Sequence, residues 1–195
     1  MMQELSLNVL DVAENSVRAN ASLVQITVEE DTAADRLTIV IRDDGKGMTP
    51  EQVKTVIDPF YTTRTTRKVG LGIPFFRMAA QLTGGDLTIQ SEVGKGTTVT
   101  ATFGLTNIDR MPLGDMNGTI AALVQCNPSI DWVYTRRKDG REMVMDTRQF
   151  REVLEDMPLD SPEVLGFLRE YLAENTQELL SGGHEENENK EDTPQ

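Results

Sequence analysis

Hydrophobic and polar positions repeat with two different periods along the first half of the chain. At about 100° per residue, Met2, Leu5, Val9, Leu10, Val12, Ala13, Ser16 and Val17 fall in one arc, and Glu4, Asn8, Asp11, Glu14, Asn15 and Arg18 in the opposite one. Residues 2–18 are therefore predicted to form an amphipathic helix, with Asn20 placed to end it. Strict alternation follows over 23–29 and again at Leu37, Ile39 and Ile41, which predicts two strands joined by the polar stretch 31–36. Thr49 as cap and Pro50 at the first helical position open a second helix with Val53, Val56 and Ile57 on its apolar side. Asp58-Pro59 closes it. Residues 60–68 carry four threonines among Arg64, Arg67 and Lys68 with no apolar period, and are read as a mobile loop. A third helix is expected over 73–82, ending at Gly84-Gly85, and strands 87–91 and 97–103 flank Val93-Gly94-Lys95-Gly96 as a hairpin.

The pattern changes after Leu105. Residues 107–118 read as a connector, and the apolar stretches 119–126, 132–136 and 143–146, the last two around Lys138-Asp139-Gly140, predict a small strand group with one hairpin. Phe150, Val153, Leu154 and Met157 mark a short helix. Ser161-Pro162-Glu163 caps a longer one carrying Val164, Leu165, Leu168, Tyr171, Leu172 and Leu179, stopped by Gly182-Gly183. The expected division is thus 1–105, a small extension over 106–180, and a disordered acidic tail over 181–195.

The chain has 195 residues, 19 Lys+Arg against 32 Asp+Glu, and a formal charge of −13. That excess argues against a nucleic-acid partner, because such affinity depends on clustered Lys and Arg displacing counterions. Residues 1–12 lack both a basic start and a long apolar run, so no signal peptide is expected; no run of ~18 apolar residues predicts a membrane span. A cytoplasmic protein is the expectation. The single cysteine, Cys126, adjoins an apolar stretch and is read as a buried small hydrophobe. His184 stands beside Glu185 and Glu186 in the tail and is given no chemical role.

Four features at element boundaries carry candidate chemistry. Asp11 and Asn15 lie one helical turn apart on the polar arc of the first helix. Asp43-Asp44-Gly45-Lys46-Gly47 puts a carboxylate at a strand end before two glycines, which permit close backbone approach. Asp58-Pro59-Phe60-Tyr61-Thr62-Thr63-Arg64 follows, and Gly70-Leu71-Gly72-Ile73-Pro74 then opens a helix whose free N–H groups and positive dipole end suit a phosphate. Gly94-Lys95-Gly96-Thr97 looks like part of a P-loop, but it lacks the upstream glycine and the following helix.

In this order, the four features resemble the N, G1, F and G2 boxes of the gyrase, Hsp90, histidine-kinase and MutL superfamily. Glu14-Asn15-Ser16 with Arg18-Ala19-Asn20-Ala21 is similar to the MutL form of the first box. Pro59-Phe60-Tyr61-Thr62-Thr63-Arg64, Gly70-Leu71-Gly72-Ile73 and Gly94-Lys95-Gly96-Thr97-Thr98-Val99 are similar to histidine-kinase ATP-binding domains. The resemblance implies an α/β chain (an α+β two-layer sandwich) in a Bergerat ATP-binding fold, with a mixed sheet covered on one face by helices and a small C-terminal α/β extension. It implies ATP and Mg²⁺ as ligands. Asn15 would give its amide oxygen to Mg²⁺, and Asp43 would accept from the adenine amine, with Gly45 and Gly47 letting the chain pass close to the base. Gly70, Leu71 and Gly72 would cradle phosphates, Arg64, Arg67 or Lys68 would screen them, and Thr97 or Thr98 would help hold Asp43 through water. Asp11 is the candidate base. The helix bearing Asp11 starts at residue 2, so no upstream hairpin with a phosphorylated histidine is expected, and Val69 departs from the small or polar residue many kinases carry before Gly-Leu-Gly. The expected activity is phosphate transfer to, or ATP hydrolysis on, a protein partner; the alternative is a nucleotide-gated, anti-sigma-like binding module with little turnover.

Overall fold

A computed structural model describes residues 4–57, 71–154 and 157–182. The expected loop over 60–68 and the tail beyond 182 lie outside the described residues. Helix α1 (Leu5–Arg18) leads into strands β1 (Leu23–Asp31) and β2 (Arg36–Asp43), helices α2 (Pro50–Ile57) and α3 (Gly72–Leu82), and strands β3 (Leu87–Glu92) and β4 (Gly96–Gly104). Helix α4 (Met116–Cys126), strands β5 (Asp131–Lys138) and β6 (Arg141–Asp146), and helices α5 (Thr147–Leu154) and α6 (Pro162–Ser181) complete the order. The six strands form one mixed sheet, β3-β4-β2-β1-β5-β6. All pairings are antiparallel except that of β1 with β5.

Alternation explains why the sheet carries helices on one face. Val24, Ile26 and Val28, Leu37, Ile39 and Ile41, Val99, Ala101 and Phe103, and Trp132 and Tyr134 are all buried, and the pairing registers bring them to one side. Gln25, Thr27, Thr38, Thr100 and Thr102 fall between them on the other side and stay partly exposed. Asn20 ends α1 with φ of 56°, as its position suggested. The division expected near residue 105 falls between β4 and α4, and the β5–β6 hairpin continues the same sheet through β1.

Residues 119–126, expected as part of a strand group, are instead the body of helix α4. Asp115 caps it, its carboxylate accepting from the Gly118 amide at 2.8 Å. Met116, Thr119, Ile120, Leu123 and Val124 then form the buried stripe at helical spacing. Cys126 lies off that stripe and is exposed, which corrects its reading as a buried residue. Helix α6 buries Val164, Leu165, Leu168, Leu172 and Leu179 in the common core. Across the outer edge of the sheet, Tyr171 donates its hydroxyl to the Val144 carbonyl at 2.9 Å, occupying an edge-strand acceptor.

Asn8 departs from its expected place on the exposed arc. Helix α1 touches α3 and α4 as well as the sheet, so its buried arc is wider than a single sheet contact would make it. Asn8 is fully buried, and among the described residues neither atom of its side-chain amide has a hydrogen-bond partner. Leaving such a group unpaired costs about 1–3 kcal/mol. Asn8→Leu is therefore expected to raise the thermal midpoint by several degrees, measured by differential scanning calorimetry; a drop would show that the amide is satisfied in solution.

Candidate functional site

The last residue of β2 is the centre of the first cluster. Asp43 is only 8% exposed. Its Oδ2 accepts from the Ser16 hydroxyl at 2.7 Å and its Oδ1 from the Gly45 amide at 2.9 Å, so α1 and the turn after β2 hold one oxygen each. Thr97 stands directly opposite Asp43 in the β2–β4 register. It continues the row of Val99, Ala101 and Phe103 and so lies on the helix-covered side with Asp43. Thr98 pairs with Arg42 and belongs to the other side. The structure thus brings Thr97, and not Thr98, beside Asp43.

The turn after β2 is tied down at several points. The Asp44 carboxylate accepts from the Ser22 hydroxyl and from the amides of Ser22 at 2.7 Å and Leu23 at 2.9 Å. Partial desolvation works to raise its pKa, but these bonds to the ionised form outweigh it and hold Asp44 below the ordinary carboxylate value. Ala19 O accepts from the Lys46 amide at 3.0 Å, and Lys46 O accepts from the Gly94 amide at 2.8 Å. Ser91 Oγ accepts from the Met48 amide at 2.8 Å and lies 2.9 Å from Thr97 Oγ1. Gly45 has no room for a side chain beside Ala19 and the Asp43 carboxylate. Gly47 has φ of 66°, and a Cβ there would run into the Glu92 carbonyl.

A depressed folded-state pKa at Asp44 contributes stability that is present above the unfolded value of about 4 and is lost as pH falls through the lower folded value. Wild-type stability is expected to decline over that acid window more steeply than that of Asp44→Asn. Chemical denaturation at a series of pH values checks this, and parallel curves would contradict it.

The second cluster joins α1 to α3. Helix α3 begins at Gly72, and Leu71 at its N-cap gives no side-chain bond to the helix amides. Pro74 has no N–H, so Gly72 and Ile73 are the first-turn donors left for a ligand. The Asp11 carboxylate rests against Gly72: a Cβ at that glycine would collide with Asp11 Oδ2. One turn along α1, Asn15 is exposed, and among the described residues its Oδ1 accepts only a long 3.3 Å bond from Arg18. Arg64, Arg67, Lys68 and Gly70 lie outside the described residues.

Helix α1 thus touches both clusters, Ser16 at the Asp43 carboxylate and Asp11 at the open start of α3. Among the described residues, no group of three or more His, Cys, Asp or Glu could hold a metal ion unaided. Asn15 offers a weakly engaged oxygen on the exposed side of α1. That donor set fits Mg²⁺, which keeps several waters and takes its other oxygens from bound phosphates.

Sequence reading places Ser16 in the first box but gives neither Ser16 nor Ser91 a role. The available signal for Ser16 was a hydroxyl in an otherwise apolar arc, immediately after Asn15, since a buried donor needs an acceptor.

Comparison with known proteins agrees with this fold. The family described as "Histidine kinase-, DNA gyrase B-, and HSP90-like ATPase" matches residues 1–107. Sporulation kinase C of Bacillus subtilis (strain 168) is 31% identical over 87 residues, 45% of this chain and 20% of its own length. Sensor protein SrrB of Staphylococcus aureus (strain NCTC 8325 / PS 47) is 33% identical over 102 residues, 50% of this chain and 17% of its own. This chain therefore spans a fifth or less of the length of these curated relatives. Among solved structures, the N-terminal domain of a DNA repair protein shares the fold, with a TM-score of 0.52 at 16% identity over 74% of this chain and 53% of that one. No helix among the described residues is long and apolar enough to cross a membrane.

Proposed function

Because the chain belongs to the histidine kinase-, DNA gyrase B- and HSP90-like ATPase family, we propose that it binds ATP with Mg²⁺ and passes the terminal phosphate to a partner protein, or hydrolyses ATP on one, in signalling or regulation. The observation that carries this reading is the paired arrangement above: Asp43 fixed at one end by Ser16 and Gly45, and Asp11 against the open N-terminus of α3 at the other. An acceptor at Asp43 suits the adenine amine, and the Gly72 and Ile73 amides with the helix dipole suit phosphates. Arg64, Lys68 and Gly70 complete the phosphate side in this reading, Leu71 frames it, and Thr97 supports Asp43. Asn15 would hold Mg²⁺, which neutralises charge on the phosphates and polarises the terminal one. Asp11 would accept a proton from the attacking group in this reading.

Two relatives named as a kinase and a sensor support transfer to a partner. A surface feature supports it too. Leu71, Phe75, Met78 and Leu82 are all exposed and recur every three or four residues along α3. This apolar stripe starts at the same residues that open the phosphate seat, so partner docking and nucleotide binding share one helix. The same observation favours a second reading, a nucleotide-gated module that shapes this surface without turnover.

ATP hydrolysis by wild type and Asp11→Asn, measured with Mg²⁺ beside nucleotide affinity, separates the two. Asp11→Asn is expected to keep affinity and lose about 100-fold in rate. Equal rates would remove Asp11 as the base, and a wild type that binds ATP without turning it over would favour the gated module.

A further inference from the structure

We infer that Ser16 is the positioning residue that makes this site select adenine; the inference rests on the ATP reading above. Ser16 is 3% exposed, and its bond to Asp43 at 2.7 Å is buried and joins residues 27 apart in sequence. An ionised carboxylate only accepts, so the Ser16 hydroxyl must donate. Gly45 N–H holds the other oxygen. With one donor on each oxygen, the carboxylate plane cannot turn, and its remaining lone pairs present a fixed acceptor. That acceptor matches the 6-amino group of adenine and opposes the 6-oxo group of hypoxanthine or guanine.

Ser16 also removes the easiest escape from this selectivity. With its proton committed to Asp43, the hydroxyl has none to offer a 6-oxo base. Without the hydroxyl, Oδ2 is free to rotate and to engage a water, which can donate to a 6-oxo group as readily as it accepts from an amine. A second effect follows from position. Ser16 follows Asn15 on the same helix, so its bond to the end of β2 adds a polar tie between α1 and the sheet beside the packing of Leu5, Val9, Val12 and Ala13.

The test is calorimetric binding of ADP and inosine diphosphate, with Mg²⁺, to wild type, Ser16→Ala, Ser16→Cys and Ser16→Thr, each checked for a cooperative melt. Wild type is expected to prefer ADP. In Ser16→Ala and in the near-isosteric Ser16→Cys, ADP affinity should fall about tenfold with little change for inosine diphosphate, so the preference shrinks by that factor. Ser16→Thr keeps the hydroxyl and should keep the preference. A folded Ser16→Ala or Ser16→Cys that retains the full wild-type preference would overturn the role of Ser16 alone. A wild type that binds both nucleotides equally would overturn the adenine reading of Asp43, and the role of Ser16 with it.

Discussion

Asp43→Asn is expected to weaken ATP and ADP binding by about 100-fold, roughly 2.7 kcal/mol, while the protein stays folded. The substitution is nearly isosteric. The oxygen of the new side-chain amide would still accept from the Gly45 amide, and the Ser16 hydroxyl would turn to accept from the new NH₂ group, so both bonds that anchor Asp43 have replacements. What would have no replacement is the acceptor that the proposed adenine contact needs. An NH₂ would meet the adenine amine, donor against donor, at a residue only 8% exposed, where water has little access to relieve a mismatched polar contact. Titration calorimetry of the variant checks the affinity, and a thermal melt checks the fold. Unchanged affinity would remove Asp43 as the adenine anchor.

Gly47→Ala is expected to cost stability rather than a specific contact. At φ of 66°, an L-residue pays about 1–2 kcal/mol, and here the new Cβ also meets the Glu92 backbone carbonyl, which cannot swing aside as a flexible side chain can. The total should be about 3 kcal/mol or more, a fall of roughly 10 °C in thermal midpoint. Gly140→Ala is the control. Its φ is also positive, at 80°, but nothing lies within 4 Å of its added Cβ, so only the backbone cost applies. Equal losses at the two positions would contradict the steric account. Gly47 thus acts by letting the turn after β2 lie against the β3–β4 hairpin, and that contact, with the Lys46–Gly94 and Met48–Ser91 bonds, holds the turn in place.

The elements of the first half were legible because their signals are local. Alternation at Leu37, Ile39 and Ile41 and the arcs of α1 follow from side-chain direction alone. The run 119–126 was misread because Thr119, Ile120 and Val124 favour strands when read singly, while the cap that commits them to helix, Asp115, stands apart from the apolar run. No local signal says that β5 lies parallel to β1 in the same sheet; strand order is a long-range property. At the candidate site, Asp11 and Asn15 were legible as a polar pair one turn apart on α1, and Asp43 as a carboxylate at a strand end. Thr97 could be told from Thr98 only once the register opposite Asp43 was known. Ser16 was hidden among apolar neighbours, and Asn8 among polar ones, because burial on the flanks of α1 depends on where α3 and α4 pack.

If Asp43 and the start of α3 form one adenine-nucleotide site, titration calorimetry of the wild-type chain with ATP and with GTP, each with Mg²⁺, should show ATP binding at a single site and GTP weaker by about 100-fold, because a 6-oxo group would face a fixed acceptor. No measurable ATP binding, or equal affinity for the two, would contradict it.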